Sequence, residues 1–216
     1  MATNNRTSGK KRTATAATAH SRNSKRAGRG KGPSAKNNDS SNFSNKPSNA
    51  SPAVRNYVDK TARLGSNVRV WHFAYVGPNT TIGDNVKIGS LAHVDYNVRI
   101  GNNVKIEGCA YIPPLTVIGN DVFIGPGVTF TNDPYPESPK MVGTTVQDGA
   151  IIAARAVIRP GLTIGSNSVV AMGSVVTRDV PAGMVVMGVP ARVVYSREEY
   201  DRKKAEWESS ALPQQQ

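Results

Sequence analysis

From Val58 onward every sixth residue is Val, Ile, Leu or Phe. The series runs through Leu64, Val70, Val76, Ile82, Ile88 and their successors to Phe130, then resumes from Val146 to Val176, nineteen positions in all. Those four residue types make up 43 of the 142 residues in 54–195. Nineteen hits at that frequency have a chance probability on the order of one in 10^10. Four residues after each aliphatic comes a small or medium residue, as at Ala62, Ala74, Ala92, Ala110, Ala150 and Ala156. The position directly after the aliphatic is often glycine, and Asn and Asp cluster one or two places further, as in Gly83-Asp84-Asn85. Offsets of zero and four are both even, so both side chains leave a short strand on the same face. The Gly/Asn/Asp positions then turn the chain every six residues. A helix of period 3.6 cannot hold residues six apart on one stripe for nineteen repeats, and a meander needs hairpin signals and longer strands. The pattern predicts an all-β solenoid of short stacked strands, with a thin interior column of Ile, Val and Ala.

The repeat breaks once. Phe130 and Val146 are sixteen residues apart, and the segment between them includes Thr131-Asn132-Asp133-Pro134-Tyr135-Pro136-Glu137-Ser138-Pro139-Lys140, polar and with three prolines. Such a segment cannot continue a strand. A solenoid has no structural need of it, and loops on rigid scaffolds commonly carry function.

Composition alters this picture at one end. The 216-residue chain carries a formal charge of +12, yet residues 1–53 hold eleven Lys/Arg against Asp39 alone, leaving +2 for the rest. Apart from Met1, Phe43 is the only large apolar residue in that tail. It cannot bury enough surface to offset the ordering of its backbone, about 1–2 kcal/mol per residue, so residues 1–53 are expected to be disordered. Lys10-Lys11-Arg12 and Lys25-Arg26 suit weak, salt-dependent polyanion contact, without the aromatic interleaving or zinc spacing of base readout. The acid-poor leader also has the composition of an organellar transit peptide, although it lacks an amphipathic apolar face. No run of eighteen apolar residues and no secretory signal occurs, so a cytoplasmic protein without a membrane span is expected. A single cysteine, Cys109, excludes an internal disulfide framework.

The hexads Ile-Gly-Asp-Asn-Val-Lys (82–87) and Ile-Gly-Asn-Asn-Val-Lys (100–105) resemble those of the hexapeptide-repeat acyltransferases. The resemblance implies a left-handed parallel β-helix with three hexads per coil, about six coils over residues 54–195. It also implies acetyl-CoA as acyl donor and a homotrimer with active sites between subunits. Residues 196–216 read as a short C-terminal helix and tail, with Ser196 and Glu199 in a capping-box pattern.

Within that family, Gly125-Pro126-Gly127-Val128-Thr129-Phe130-Thr131-Asn132-Asp133 resembles the run that precedes the loop in N-acetyltransferases of nucleotide-linked amino sugars. Val70-Trp71-His72-Phe73 is similar to the first-coil signature of enzymes that acetylate a 3-amino group on such sugars. Thr177-Arg178-Asp179-Val180-Pro181 and Gly188-Val189-Pro190-Ala191-Arg192 match a family-wide ending. Related O-acetyltransferases carry a loop histidine where this chain has Tyr135-Pro136. A hydroxyl needs a base to become a nucleophile, whereas a neutral amine already has its lone pair. The resemblance therefore implies N-transfer to a UDP- or dTDP-linked 3-amino or 4-amino hexose or hexuronate, in surface glycan biosynthesis. Asn132 and Asp133 are the expected catalytic pair, with His72, His93 and Tyr135 toward the substrate. The small residues Gly149, Ala154, Ala171 and Gly173 would line the coenzyme groove, and Arg178 and Arg192 would meet its phosphates. No metal is expected, because the domain has two histidines where a three-histidine zinc site needs another. Two alternatives stand beside this reading: O-acetylation of a sugar or other small acceptor, and a non-catalytic scaffold whose basic tail binds polyanions.

Overall fold

The computed structural model describes residues 55–210; the expected disordered tail, residues 1–53, lies outside the described residues. Nineteen two-residue strands, from β1 (Tyr57–Val58) to β19 (Val175–Val176), recur every six residues on either side of the loop. The second residue of each strand is the period-six aliphatic and points inward; the first points out. Each strand from β1 to β16 pairs in parallel with the strand three further on. Three flat faces result. Face A carries Tyr57, Tyr75, His93, Tyr111, Thr129, Val157 and Val175 outward in register. Face B begins with Arg63, Thr81 and Arg99, and face C with Arg69, Lys87 and Lys105.

The interior is the thin column expected. Val76, Ile88, Ile112, Ile124, Phe130, Ile152, Ile158 and Ile164 are each fully buried. The first coil is less covered: Leu64 is 43% exposed and Val58 and Val70 only partly buried. The nineteen hexads make the six coils expected, and the structure adds the closing strands of a seventh. Val180 bridges to Ile164, and β20 (Met184–Gly188) pairs in parallel on face C. β21 (Ala191–Ser196) then folds back antiparallel on β20, a hairpin the hexad count does not contain.

The corners explain the turn residues. Three places after most of the aliphatics the backbone enters the left-handed region, at Asn67, Asn79, Asn85, Asn97, Asn103 and Asp121 among others. Asn and Asp tolerate that conformation better than most residues. At the corner from face B to face C they also form a ladder. Asn67 donates to Asn85, Asn85 to Asn103 and Asn103 to the Asp121 carboxylate, at 3.0, 3.2 and 3.0 Å.

The helix α1 (Arg197–Ser209) is capped by Ser196, whose hydroxyl accepts the Glu199 N–H at 3.3 Å. The Lys203 ammonium beside Glu199 holds its carboxyl below the usual range. The helix buries no side chain, so Ser196→Ala should cost about 0.5–2 kcal/mol of helix stability. Circular dichroism at 222 nm should show earlier helix melting while the solenoid transition stays in place. No helix among the described residues is long and apolar enough to cross a membrane.

Candidate active site

The excursion leaves face A after β13 (Thr129–Phe130) and returns at β14 (Thr145–Val146), where face B begins. Strand pairs that span it are 28 residues apart, whereas the pairs before it are 18 apart, so it inserts ten residues into one corner. A cavity of about 420 Å³ lies at its base, with Tyr111, Thr131, Asn132, Asp133, Glu137 and Met141 in its lining. No histidine lines it.

The loop is held by its own polar groups. The Asp133 carboxylate accepts the Tyr135 N–H through one oxygen and the Ser138 N–H through the other, each at 2.7 Å. The Asn132 carbonyl accepts the Val142 N–H at 2.8 Å, and its side-chain amide lies 3.0 Å from the Met141 sulfur. Thr131 donates its hydroxyl to the Ile158 carbonyl at 2.9 Å, tying the loop to the next coil. Asn132 and Asp133, the expected catalytic pair, both line the cavity, and Asp133 shapes the loop with both oxygens. Tyr135 follows at the loop crest, 77% exposed and not among the cavity-lining residues.

The two histidines separate. His93 stands on face A between Tyr75 and Tyr111, with ring centroids 4.5 and 5.5 Å away, so it reaches the cavity only through Tyr111. His72 sits at the corner between faces C and A in the first coil, its Nδ1 accepting the Arg55 N–H at 3.4 Å. Asp95, which the sequence reading passed over, joins His93 to Tyr111. Its Oδ2 accepts the Tyr111 hydroxyl at 3.3 Å and lies 3.8 Å from His93 Nε2. The available signal was the 18-residue column His93, Tyr111, Thr129, which carries His93 toward the loop.

Burial and the neighbouring Asp95 carboxylate push the Tyr111 phenol above its ordinary value near 10. A raised folded-state value means the contribution is present below about pH 10 and is lost as pH rises through it. Tyr111→Phe should therefore flatten the alkaline fall in melting temperature while leaving the neutral value nearly unchanged, as a thermal-melt series against pH would show.

The expected coenzyme residues divide. Ala154, Ala171 and Gly173 share the edge between faces C and A. Two of their amides are engaged: Gly173 N–H donates to the Ala154 carbonyl and Ala171 N–H to that of Val186, both at 2.9 Å. Arg178 is exposed at the opposite edge of face A, in the corner from which the loop emerges in a lower coil. Arg192 lies in the hairpin, donating to the Ala191 carbonyl at 2.9 Å. Gly149 is apart from all of these, at the corner between faces B and C, where Arg197 donates to its carbonyl. It is glycine for local reasons: its φ is +68°, and a Cβ there would lie 2.1 Å from Asn167 Oδ1.

Comparison with known proteins gives the coils a lineage. Over 70 residues the chain is 47% identical to 2,3,4,5-tetrahydropyridine-2,6-dicarboxylate N-acetyltransferase of Clostridium perfringens, 32% of this chain and 30% of that protein. The enzyme of the same name from Staphylococcus aureus is 41% identical over 70 residues, 32% and 29% of the two chains. The chain thus spans under a third of the length of these curated relatives. Among solved structures, PerB of Caulobacter crescentus, in complex with CoA and GDP-perosamine, is 24% identical at a TM-score of 0.43, covering 65% of this chain and 57% of that one. WeeI from Acinetobacter baumannii is 26% identical at 0.40, covering 63% and 57%. The six-repeat bacterial transferase hexapeptide pattern matches in overlapping windows, 61–96, 79–114, 97–132 and 143–178, and skips the ten residues 133–142 within the loop. With half of its residues in those windows, the chain belongs to the bacterial transferase hexapeptide family.

Proposed function

We propose that this protein is an acetyl-CoA-dependent N-acetyltransferase acting on the amino group of a nucleotide-activated amino sugar. In this reading it works as a cytoplasmic homotrimer in surface glycan biosynthesis. The observation that carries the reading is the loop cavity, where Asn132 and Asp133 stand together and no histidine is present. The matched relatives are named for N-acetyl transfer, which supports an amine as the nucleophile. The amine forms the new N–C bond, the thioester C–S bond breaks, CoA leaves as its thiol, and the amine gives up one proton. A neutral amine needs little beyond positioning, so orientation by the loop supplies most of the rate. Asn132 orients the acceptor from the loop base, and the Asp133 carboxylate keeps the loop in shape while facing an incoming ammonium with negative charge. Among the described residues the Ala154 N–H has no hydrogen-bond partner, so it takes the oxyanion-donor role in preference to the engaged amides of Ala171 and Gly173. One such donor is worth about 3–4 kcal/mol.

The same relatives favour a second reading, in which the acceptor is the amine of a small dicarboxylate. Incubating the purified full chain with acetyl-CoA and measuring thiol release with DTNB tests both. UDP- and dTDP-linked amino sugars should each be tried beside their hydroxy counterparts and an amino dicarboxylate. Release with an aminated sugar nucleotide is the expected result. Release with the dicarboxylate alone replaces the sugar and keeps N-transfer. Release with hydroxy sugars alone makes the protein an O-acetyltransferase. No release together with no coenzyme binding leaves a scaffold.

A further inference from the structure

The two ends of the solenoid differ. At the later end Val170 and Val176 are buried, and β20 stacks a further strand on β18 (Val169–Val170). At the first coil, β1, β2 (Arg63–Leu64) and β3 (Arg69–Val70) are each the last strand of their sheet. Their inward residues Val58, Leu64 and Val70 all keep exposed surface, unlike Val76, Ile82 and Ile88 one coil on. Counting the hexads back from Val58 puts Pro52, Lys46 and Ser40 at the inward places. That set has no aliphatic to lay over the end, and proline cannot donate to a ladder, so the repeat does not supply a cover.

Large apolar side chains and cations share this coil. Tyr57, Trp71 and Phe73 are exposed, Phe73 by 62%. Arg55, Lys60, Arg63 and Arg69 are exposed as well, and none has an ion-pair partner among the described residues. The one acid of residues 55–73 is Asp59, and it is engaged locally: Oδ1 accepts the Thr61 N–H at 2.8 Å and Oδ2 the Tyr57 hydroxyl at 3.1 Å. Single exposed apolar residues are ordinary, but a group of them rimmed by polar residues marks a contact surface.

The chemistry selects the occupant. A second copy meeting this end would bring Arg55, Lys60, Arg63 and Arg69 against their own like charges. Nucleic acid would use the cations and the rings but would gain nothing from Val58, Leu64 and Val70. An anionic lipid surface uses all three groups: its phosphates meet the cations, indole and phenol rings sit at headgroup level, and the aliphatics meet the acyl boundary. All three faces stop in one coil, so the end is blunt and suits a planar partner. From this juxtaposition we infer that the first coil is a peripheral membrane-contact surface, holding the solenoid end-on to a bilayer that contains anionic phospholipid. The eleven Lys/Arg of residues 1–53 join the chain at this coil and supply the second attraction that stable peripheral binding needs. The surface stands whether or not the loop transfers acetyl groups.

The test uses the full chain with Trp207→Phe, which leaves Trp71 as its one tryptophan. Vesicles of equal parts phosphatidylglycerol and phosphatidylcholine should carry the protein in flotation at low salt and shift Trp71 emission to the blue, as the indole leaves water. Pure phosphatidylcholine vesicles should do neither. Leu64→Ser with Phe73→Ser, and separately Arg63→Gln with Arg69→Gln, should each weaken binding about tenfold or more. The charge variant alters only exposed side chains and should melt with the parent, which separates loss of contact from loss of fold. Flotation without a blue shift, or with both variants binding like the parent, assigns the attraction to the tail and overturns the inference. So does the absence of flotation, a larger blue shift with a single-stranded oligonucleotide than with vesicles, or self-association that Leu64→Ser with Phe73→Ser abolishes.

Discussion

Phe130→Ala should lower the stability of the solenoid by about 3–5 kcal/mol, the usual range for deleting a fully buried phenylalanine. Phe130 has no exposed surface and is the largest of the fully buried side chains. It stands opposite Ile158 in the next coil and belongs to the wall of the loop cavity. The other inward positions of the period-six series hold Val, Ile or Leu, so this coil is filled by a ring that its neighbours cannot expand to replace. Stacked repeats touch only adjacent repeats, so the damage should centre where the loop leaves the coil. Ile112→Ala is the matched control, since Ile112 is also fully buried but does not line the cavity. Urea unfolding should show a comparable loss for both, while acetyl transfer assayed well below the melting temperature should fall further in Phe130→Ala. Equal residual activity in the two variants would mean that the ring only fills space.

The inward aliphatics could be read from the chain because a solenoid wall one strand deep leaves each of those positions no second environment. The loop was legible for the opposite reason: three prolines in ten residues cannot follow a strand that must donate along the axis. Other features left no mark. Phe73, Leu91, Cys109, Leu115 and Arg155 adopt φ between 57° and 65°, a conformation that disfavours side chains of their kind. They adopt it because each coil must turn where the coil below turns. Gly149 illustrates the converse. As a small residue it matched the expectation for a coenzyme groove, yet its size answers to Asn167 and its own positive φ. Asp95 was hidden because it occupies the place after an aliphatic, where the eye expects glycine, and its link to His93 and Tyr111 exists only after stacking. The antiparallel hairpin of β20 and β21 lay under the short motif Gly188-Val189-Pro190-Ala191-Arg192, and a motif says nothing of strand direction.

Asp133→Ala should reduce kcat/KM for acetyl transfer by about 100-fold with almost no change in melting temperature. The carboxylate sits in the loop, outside the interior column, so the solenoid does not depend on it. Within the loop it is the acceptor for two backbone N–H groups at 2.7 Å, and hydrogen bonds to a charged acceptor contribute about 1.5–3 kcal/mol each. Water can satisfy the freed amides, but it cannot hold Tyr135 and Ser138 in place. A displacement of about 1 Å in a positioning element is enough for a loss of that size. Asp133→Asn should not rescue transfer: its single oxygen satisfies one amide, and its NH2 group meets the other donor head-on. The pH profile decides between shape and proton transfer. If Asp133 acts as the general base, the Asn variant should regain activity at high pH, where the acceptor amine deprotonates by itself. If the carboxylate serves to fold the loop, the deficit should stay constant across about pH 6 to 9. A constant deficit is the expected result, because neither oxygen is free of the loop's own amides.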